Sequence, residues 1–370
     1  MQYYLLGKGK QFNEIVVAGS HDAGITGGPE NAQTQTLNIG EQAEAGVRVF
    51  DLRIAGSKSF PGSEVKLKAF HADPKVKFDN TKLTQQRVSQ LPGKHSNVVV
   101  SNLAGGTFGE KLSDMLDQAR DFVTNTEPTE FLILKFDKGT NWKHVADLIT
   151  LKLNTGPHPC LYTGGGDIGG KTLRQLKGKV VVVFPQGVLG PLGPGYGPAN
   201  GFLGFKALNK PGNAFTRPYD GLQFVGKGGT VATNGASTRS KTAEQETKQL
   251  RLLGRDAYKY PAEAVGMLYW TTTGLFKDIQ DRNQKMWIER TGKSPKMQAL
   301  FAHCLNESIM QRLPIGQNVE NYAGAQTLKV LMPNIVMIDF VDEKKCQTIY
   351  DLNSVAATQL TEWARYLATQ

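Results

Sequence analysis

The sequence predicts an α/β chain that closes into a single irregular (β/α)8 barrel with long loop insertions, one domain over residues 1–370. Three observations carry that expectation. Eight β-rich runs alternate with helical patterns along the chain. Charged residues gather at the C-terminal ends of runs whose earlier residues on the same face are apolar, as at the rim of a barrel. No internal repeat and no Pro/Ser-rich linker divides a length within the range of one such barrel.

The runs are Glu14–Gly19, Val47–Ile54, Val65–His71, Phe131–Phe136, Val180–Phe184, Leu222–Val225, Val265–Thr271 and Ile335–Val341. Between them, Gly109–Val123 places Leu112, Met115, Leu116, Ala119, Phe122 and Val123 at the three-and-four spacing of an amphipathic helix. Asn141–Leu153 and Ala243–Leu253 repeat the pattern, and Ser354 is positioned to cap a final helix carrying Val355, Leu360, Trp363 and Leu367. Pro74–Asn97, Gln186–Pro218 and Asp281–Tyr322 are longer than plain connections and supply the insertions.

Composition narrows the function. Net charge is +10, from 43 Lys and Arg against 33 Asp and Glu. It suits a solvated basic surface or an anionic partner. No interleaving of basic and aromatic residues and no helix-turn-helix or RRM pattern accompanies it, so no nucleic-acid partner is expected. Three separated cysteines, Cys160, Cys304 and Cys346, argue against a disulfide framework or a cysteine zinc site, and six histidines without close-pair spacing demand no metal. No apolar run approaches the roughly 18 residues of a membrane span. The N-terminal MQYYLLGKGK is too short and too polar for a signal peptide. A soluble monomer, secreted or delivered as an effector without a classical signal, is the expectation.

Strand parity sorts the chemistry. The first run ends in a small-residue turn carrying His21 and Asp22 side by side. In VRVFDLRI, Val47, Val49, Asp51 and Arg53 share one face, opposite Phe50, Leu52 and Ile54. A cation at Arg53 is expensive there unless it meets an anion. By the same alternation His71 ends its run on the face of Val65, Leu67 and Ala69, Lys135 joins Phe131 and Ile133, and Asp339 joins Ile335 and Met337.

VAGSHDAG, then EQAEAGVRVFDLRI, then a run-ending His in KAFHAD resembles the catalytic X region of bacterial phosphatidylinositol-specific phospholipase C. The resemblance continues through LDQARDFVTNTEPTEFLILKF, TLRQLKGKVVVVF, MLYWTTTG and PNIVMIDFV, from about Glu14 to Asp342. It implies a distorted TIM-type barrel. It implies His21 as general base oriented by Asp339, and His71 as general acid supported by Asp22. Arg53 then resembles the phosphate-binding arginine that replaces the calcium ion of the eukaryotic enzymes, so no metal or other cofactor is expected. The implied reaction is attack of the inositol 2-hydroxyl on phosphorus at an anionic bilayer surface, giving diacylglycerol and a cyclic inositol phosphate. Lys135 and Asp51 are the expected substrate contacts, with an ion pair among Lys135, Asp51 and Asp137 as the alternative for the lysine.

Departures from the family pattern touch the headgroup. Pro185 stands where relatives carry an arginine, and Lys227 and Gly229 stand where they carry an acidic and an aromatic residue. An alternative alignment takes VVVSNLAGG as the strand and puts Asn102 at the acid position, and His95 is a further candidate. Parity and spacing after FDLRI favour His71. Two other readings compete. GGDIGGKT (residues 165–172) fits the phosphate-loop expression, with IVMID as its acidic strand, and would make an NTP-binding protein. Loss of the acid would leave a catalytically inactive lipid-binding barrel. Finally, Tyr196, Phe202, Leu203 and Phe205 in the Gly/Pro-rich stretch 190–205 are expected either to dip into lipid or to fold back as a lid.

Overall fold

The computed structural model describes residues 1–30, 32–57, 66–71, 106–226, 231–232, 264–273 and 333–354. In chain order the strands are β1 (Val17–Ser20), β2 (Val47–Ser57), β3 (Lys66–His71), β4 (Thr107–Lys111), β5 (Phe131–Gly139), β6 (Lys179–Pro185), β7 (Phe202–Ala207), β8 (Gly221–Val225), β9 (Val231–Ala232), β10 (Val265–Trp270), β11 (Thr272–Thr273) and β12 (Ile335–Ile338). The helices are α1 (Ile39–Ala45), α2 (Leu112–Asp121), α3 (Trp142–Leu153), α4 (Leu173–Leu176), α5 (Gln186–Leu192) and α6 (residues 343–354).

Eight strands form a closed, all-parallel barrel in the order β1-β2-β5-β6-β7-β8-β10-β12, with β12 returning to β1. Alternation sorts its side chains. Val17, Val49, Ile133, Val183, Met267 and Met337 fill the inside. Phe50, Leu134, Val182 and Val336 turn outward into a second buried cluster that also holds Leu116 of α2 and Val145 and Ile149 of α3. Each such burial contributes about 1.5–3 kcal/mol. The N-terminal segment closes the base, where Tyr3 and Phe12 are fully buried. There Arg48 donates to Glu130 at 2.8 Å, to the Ala43 and Val47 carbonyls, and to Met1.

Two departures from the expected strands offset each other in the count. Val65–His71 is not a barrel stave: β2 runs past the rim, β3 returns antiparallel to it (Ile54↔Ala69, Ser57↔Lys66), and β4 adds antiparallel to β3. The helix expected from Gly109 therefore begins at Leu112, because 107–111 are spent on the arm. The missing stave is β7, inside the stretch expected to meet lipid. Phe202, Leu203 and Phe205 are 1%, 0% and 8% exposed, so they are core and neither dip into a bilayer nor form a lid. Tyr196 packs against Phe202, accepts from Lys143 at 3.0 Å and donates to Asp147.

Smaller corrections have equally local causes. Val47 belongs to the outer cluster rather than the face of Val49, because the β1–β2 register shifts between Ala18 and Gly19. Ser354 lies within α6 instead of capping a later helix. The phosphate-loop reading fails on geometry: the helix after residues 165–172 is the four-residue α4, and the Thr172 hydroxyl caps it, accepting from Gln175 N and donating to Gln175 Oε1. A phosphate loop opens a long helix and keeps that hydroxyl for magnesium. The runs at Ala243–Leu253 and beyond Ser354, and Cys304, His95, Asn102, Lys227 and Gly229, lie outside the described residues. Among the described residues no helix is long and apolar enough to cross a membrane.

Candidate active site

The site is built where the first and last barrel strands end. Leaving β1, His21 N donates to Ile338 O at 3.0 Å, and Ala23 N to Asp51 O at 3.0 Å, so the turn is hooked to β12 on one side and β2 on the other. Asp22 sits at φ 44, in the left-handed region that a non-glycine residue adopts only when its surroundings impose it. That twist sends the two neighbouring side chains to different partners. His21 Nδ1 lies 2.9 Å from Asp339 Oδ1, just past β12. Asp22 Oδ2 lies 2.9 Å from His71 Nδ1 and 3.7 Å from His21 Nε2.

The β3–β4 arm brings His71 there. Because β3 runs back along β2, its last residue returns to the barrel mouth. Glu110 N donates to Gly24 O at 2.9 Å, joining the arm to the His21–Asp22 turn. Gly109 permits that approach: a Cβ there would lie 1.9 Å from Gly24 O.

Arg53 Nε is 2.9 Å from Asp22 Oδ1, an ion pair whose angle falls short of a hydrogen bond. Its side chain is 18% exposed, the most open of the charged groups around Asp22. Lys135 is buried with its Nζ 3.0 Å from Asp51 and 3.2 Å from Asp137, so the ion-pair alternative for this lysine holds and both carboxylates take part. Tyr269 meets the His21 ring edge-on at 6.0 Å.

Electrostatics follow from burial and these pairs. Burial pulls the His21 imidazole down, but the Asp22 and Asp339 carboxylates outweigh it and raise its pKa to about 9. Burial works against the Asp22 carboxylate too, and Arg53, His21 and His71 together hold it well below the usual range. Asp339 is raised by burial, only partly opposed by His21. Burial disfavours the Lys135 ammonium, yet Asp137 and Asp51 push its pKa above the usual lysine value. The arrangement thus holds two imidazoles, each fixed through Nδ1 by a carboxylate with Nε2 left for a reacting group, beside a guanidinium. Such a set can move protons to and from a phosphoryl centre.

His21, Arg53 and Asp339 converge as strand parity expects, with Asp51 and Lys135 one layer below; Asp22 joins them from the turn after β1, and His71 joins them through the antiparallel arm rather than as a stave. Pro185 ends β6 as half-buried backbone. Parity alone missed the segment that holds these turns. Thr34 Oγ1 donates to Asp22 O at 2.9 Å, and Phe340 N donates to Thr34 O at 2.7 Å. Gln35, fully buried, donates to His21 O at 3.0 Å and Ile338 O at 3.3 Å and accepts from Val341 N at 2.9 Å. Phe340, beside Asp339, is also left-handed at φ 48. These bonds join backbone groups up to 306 residues apart, and neither periodicity nor motif signals them.

No family model matches the chain, and no curated protein sequence does either. Solved structures do. A variant of phosphatidylinositol-specific phospholipase C from Staphylococcus aureus superposes with a TM-score of 0.50 at 15% identity, covering 94% of this chain and 96% of that one. The phosphatidylinositol-specific phospholipase C from Listeria monocytogenes gives 0.47 at 12% identity, over 94% and 95%. A calcium-dependent phosphoinositol-specific phospholipase C from a Pseudomonas species gives 0.32 at 13%, over 55% and 68%. At these identities the likeness establishes the fold: this chain is a TIM-type barrel of the architecture found in the staphylococcal phospholipase.

Proposed function

We propose that the protein is a phosphodiesterase of the phosphatidylinositol-specific phospholipase C type, working at a bilayer surface without a metal ion. One observation carries the reading. Asp22 stands between His71, Arg53 and His21, at 2.9, 2.9 and 3.7 Å, at the C-terminal mouth of a parallel barrel.

In the proposed reaction a hydroxyl of the lipid headgroup, adjacent to the phosphodiester, attacks phosphorus. His21 Nε2 takes the hydroxyl proton. The phosphorus–oxygen bond to diacylglycerol breaks, and His71 Nε2 gives its proton to the leaving alkoxide, so a cyclic phosphate and diacylglycerol form with the protons balanced. Asp339 holds His21, and Asp22 holds His71, in the tautomer that leaves Nε2 facing the reaction. Arg53 bears on the phosphorane oxygens, supplying in a side chain the positive charge that a metal supplies elsewhere. With its pKa at about 9, His21 carries a proton near neutrality, and the reaction runs through its deprotonated fraction.

The test compares His21→Ala, His71→Ala and the unaltered protein on mixed phospholipid vesicles, with products identified by mass spectrometry. Both substitutions are expected to abolish release of diacylglycerol with a cyclic phosphate. Unchanged cleavage in both would discard the mechanism, and no cleavage by the unaltered protein on any lipid of the panel would favour a non-catalytic lipid-binding barrel. The headgroup panel also decides between inositol and other hydroxylated headgroups.

A further inference from the structure

Beside Arg53 stands a second cation that the reaction above does not use. The β2–β5 register runs Asp51↔Lys135 and Leu52↔Phe136, then shifts, so that Arg53 pairs with Lys138 rather than with Asp137. Asp137 is the extra residue of a β-bulge. Simple alternation would put Lys138 on the outer face with Leu132, Leu134 and Phe136, all of which pack outward. The bulge resets that alternation: paired residues of parallel strands share a face, so Lys138 joins Arg53 at the mouth. Neighbouring strands lie about 5 Å apart, a span that the oxygens of one phosphoryl group can bridge.

The two cations also share an unfinished coordination. Among the described residues, no hydrogen bond or ion pair engages Lys138, and Arg53 is held only through Nε by Asp22, leaving its terminal nitrogens open. The other cations of the barrel differ. Lys135 has two carboxylates, and Arg48 at the opposite end has Glu130 and three carbonyls. Lys138 is half-buried. Burial, then the nearby Arg53 charge, lowers its pKa, against the opposing pull of Asp137, Asp22 and Asp51. Like charges held together and partly dehydrated are relieved when an anion bridges them.

We propose that Lys138 and Arg53 form a two-cation seat for the phosphoryl oxygens of the substrate, with Lys138 a further residue that stabilises charge growing in the transition state. This rests on the phosphodiesterase reading. As phosphorus becomes five-coordinate its equatorial oxygens gain negative charge, so a second cation acts more on turnover than on ground-state binding. A bulge at this point in β5 has a role on the same account: it turns a lysine from the outer wall to the reacting phosphate.

The experiment uses Lys138→Met, Lys138→Arg and, as a control for loss of one charge, Lys177→Met at the exposed base of the barrel. Lys138→Met is expected to lower kcat on a soluble inositol phosphodiester by about 10–1000-fold with a smaller change in KM. Lys138→Arg should recover part of that loss, and Lys177→Met should match the parent. Independently of turnover, NMR titration of the Lys138 ammonium should show its pKa rising when inorganic phosphate is added. Unchanged kcat in Lys138→Met, or a Lys138 pKa indifferent to phosphate, would overturn the seat. If the parent cleaves no phosphodiester while phosphate still raises the Lys138 pKa, the seat stands as an anion site and the proposed reaction falls.

Discussion

Asp339→Asn should move the acid limb of the pH–rate profile. In the structure His21 Nδ1 is 2.9 Å from Asp339, and its Nε2 is 3.7 Å from Asp22. Together these carboxylates lift the imidazole from 6.5 to about 9 against its burial. A rise of that size corresponds to about 3 kcal/mol between the two protonation states. A base must be neutral to accept a proton, so kcat/KM should climb with pH through about 9 in the parent. Asparagine keeps an acceptor for Nδ1–H and removes the charge, so the limb should fall by on the order of 1–2 pH units. Turnover at the plateau should also drop, by about 100- to 10,000-fold, as the imidazolium loses its counter-charge and orienter. The assay is kcat/KM on a soluble inositol phosphodiester from pH 5.5 to 10, with NMR titration of the His21 ring in parallel. A limb that stays put, or a ring that still titrates near 9, would refute the account of what raises it. Stability has the same sign. The folded protein holds this proton more tightly than the unfolded chain, so the contribution is complete below 6.5 and fades as pH rises to about 9.

Other expectations follow from single contacts. Gly109→Ala, whose Cβ would lie 1.9 Å from Gly24 O, should push the β3–β4 arm off the turn. It should lower turnover about tenfold or more by misplacing His71, with little loss in denaturant midpoint because the arm is outside the barrel. Thr34→Val removes the hydroxyl that donates to Asp22 O, whereas Thr34→Ser keeps it. The valine variant should lose about 1–3 kcal/mol in urea unfolding and lower kcat on a soluble phosphodiester by displacing Asp22, and the serine variant should restore both. Phe202→Ser should cost about 3–5 kcal/mol of stability and leave vesicle affinity of the folded fraction unchanged, since Phe202 is core; a selective loss of vesicle binding would contradict its burial.

Much of the site was legible because period-two alternation is local. Once Ile335 and Met337 face inward, Asp339 follows, and the same holds for Val17 and His21. What defeats alternation is a change of register. The shift at Ala18/Gly19 sends Val47 outward, and the bulge at Asp137 brings Lys138 inward. Neither shift has a signature in VRVFDLRI or LILKFDKG, since each is a relation between two strands. The strand count illustrates the same limit. β7 hides in a Gly/Pro-rich stretch because Gly204 interrupts its apolar pattern, and that glycine is there for packing: a Cβ on it would lie 2.4 Å from Gln186 Oε1 and 2.9 Å from the Tyr219 hydroxyl. Val65–His71 carries a convincing β-pattern but pairs antiparallel outside the barrel. Sequence shows that a segment is a strand more readily than which partner it takes.

That distinction explains how His71 reaches the site at all. A stave of a parallel barrel brings one strand end to the mouth. The extended β2 and its antiparallel return bring a second ending beside the first, so Arg53 and His71 approach Asp22 from one hairpin. Asp22 can serve both, and leave His21 to Asp339, only because its backbone is left-handed and held so from behind by Thr34 and Gln35. Phe340 is bent the same way on the opposite turn and is tied to the same dipeptide. The two strained turns therefore share one support, and the distance between His21 and Asp339 is set as much by Thr34–Gln35 as by the strands that carry them.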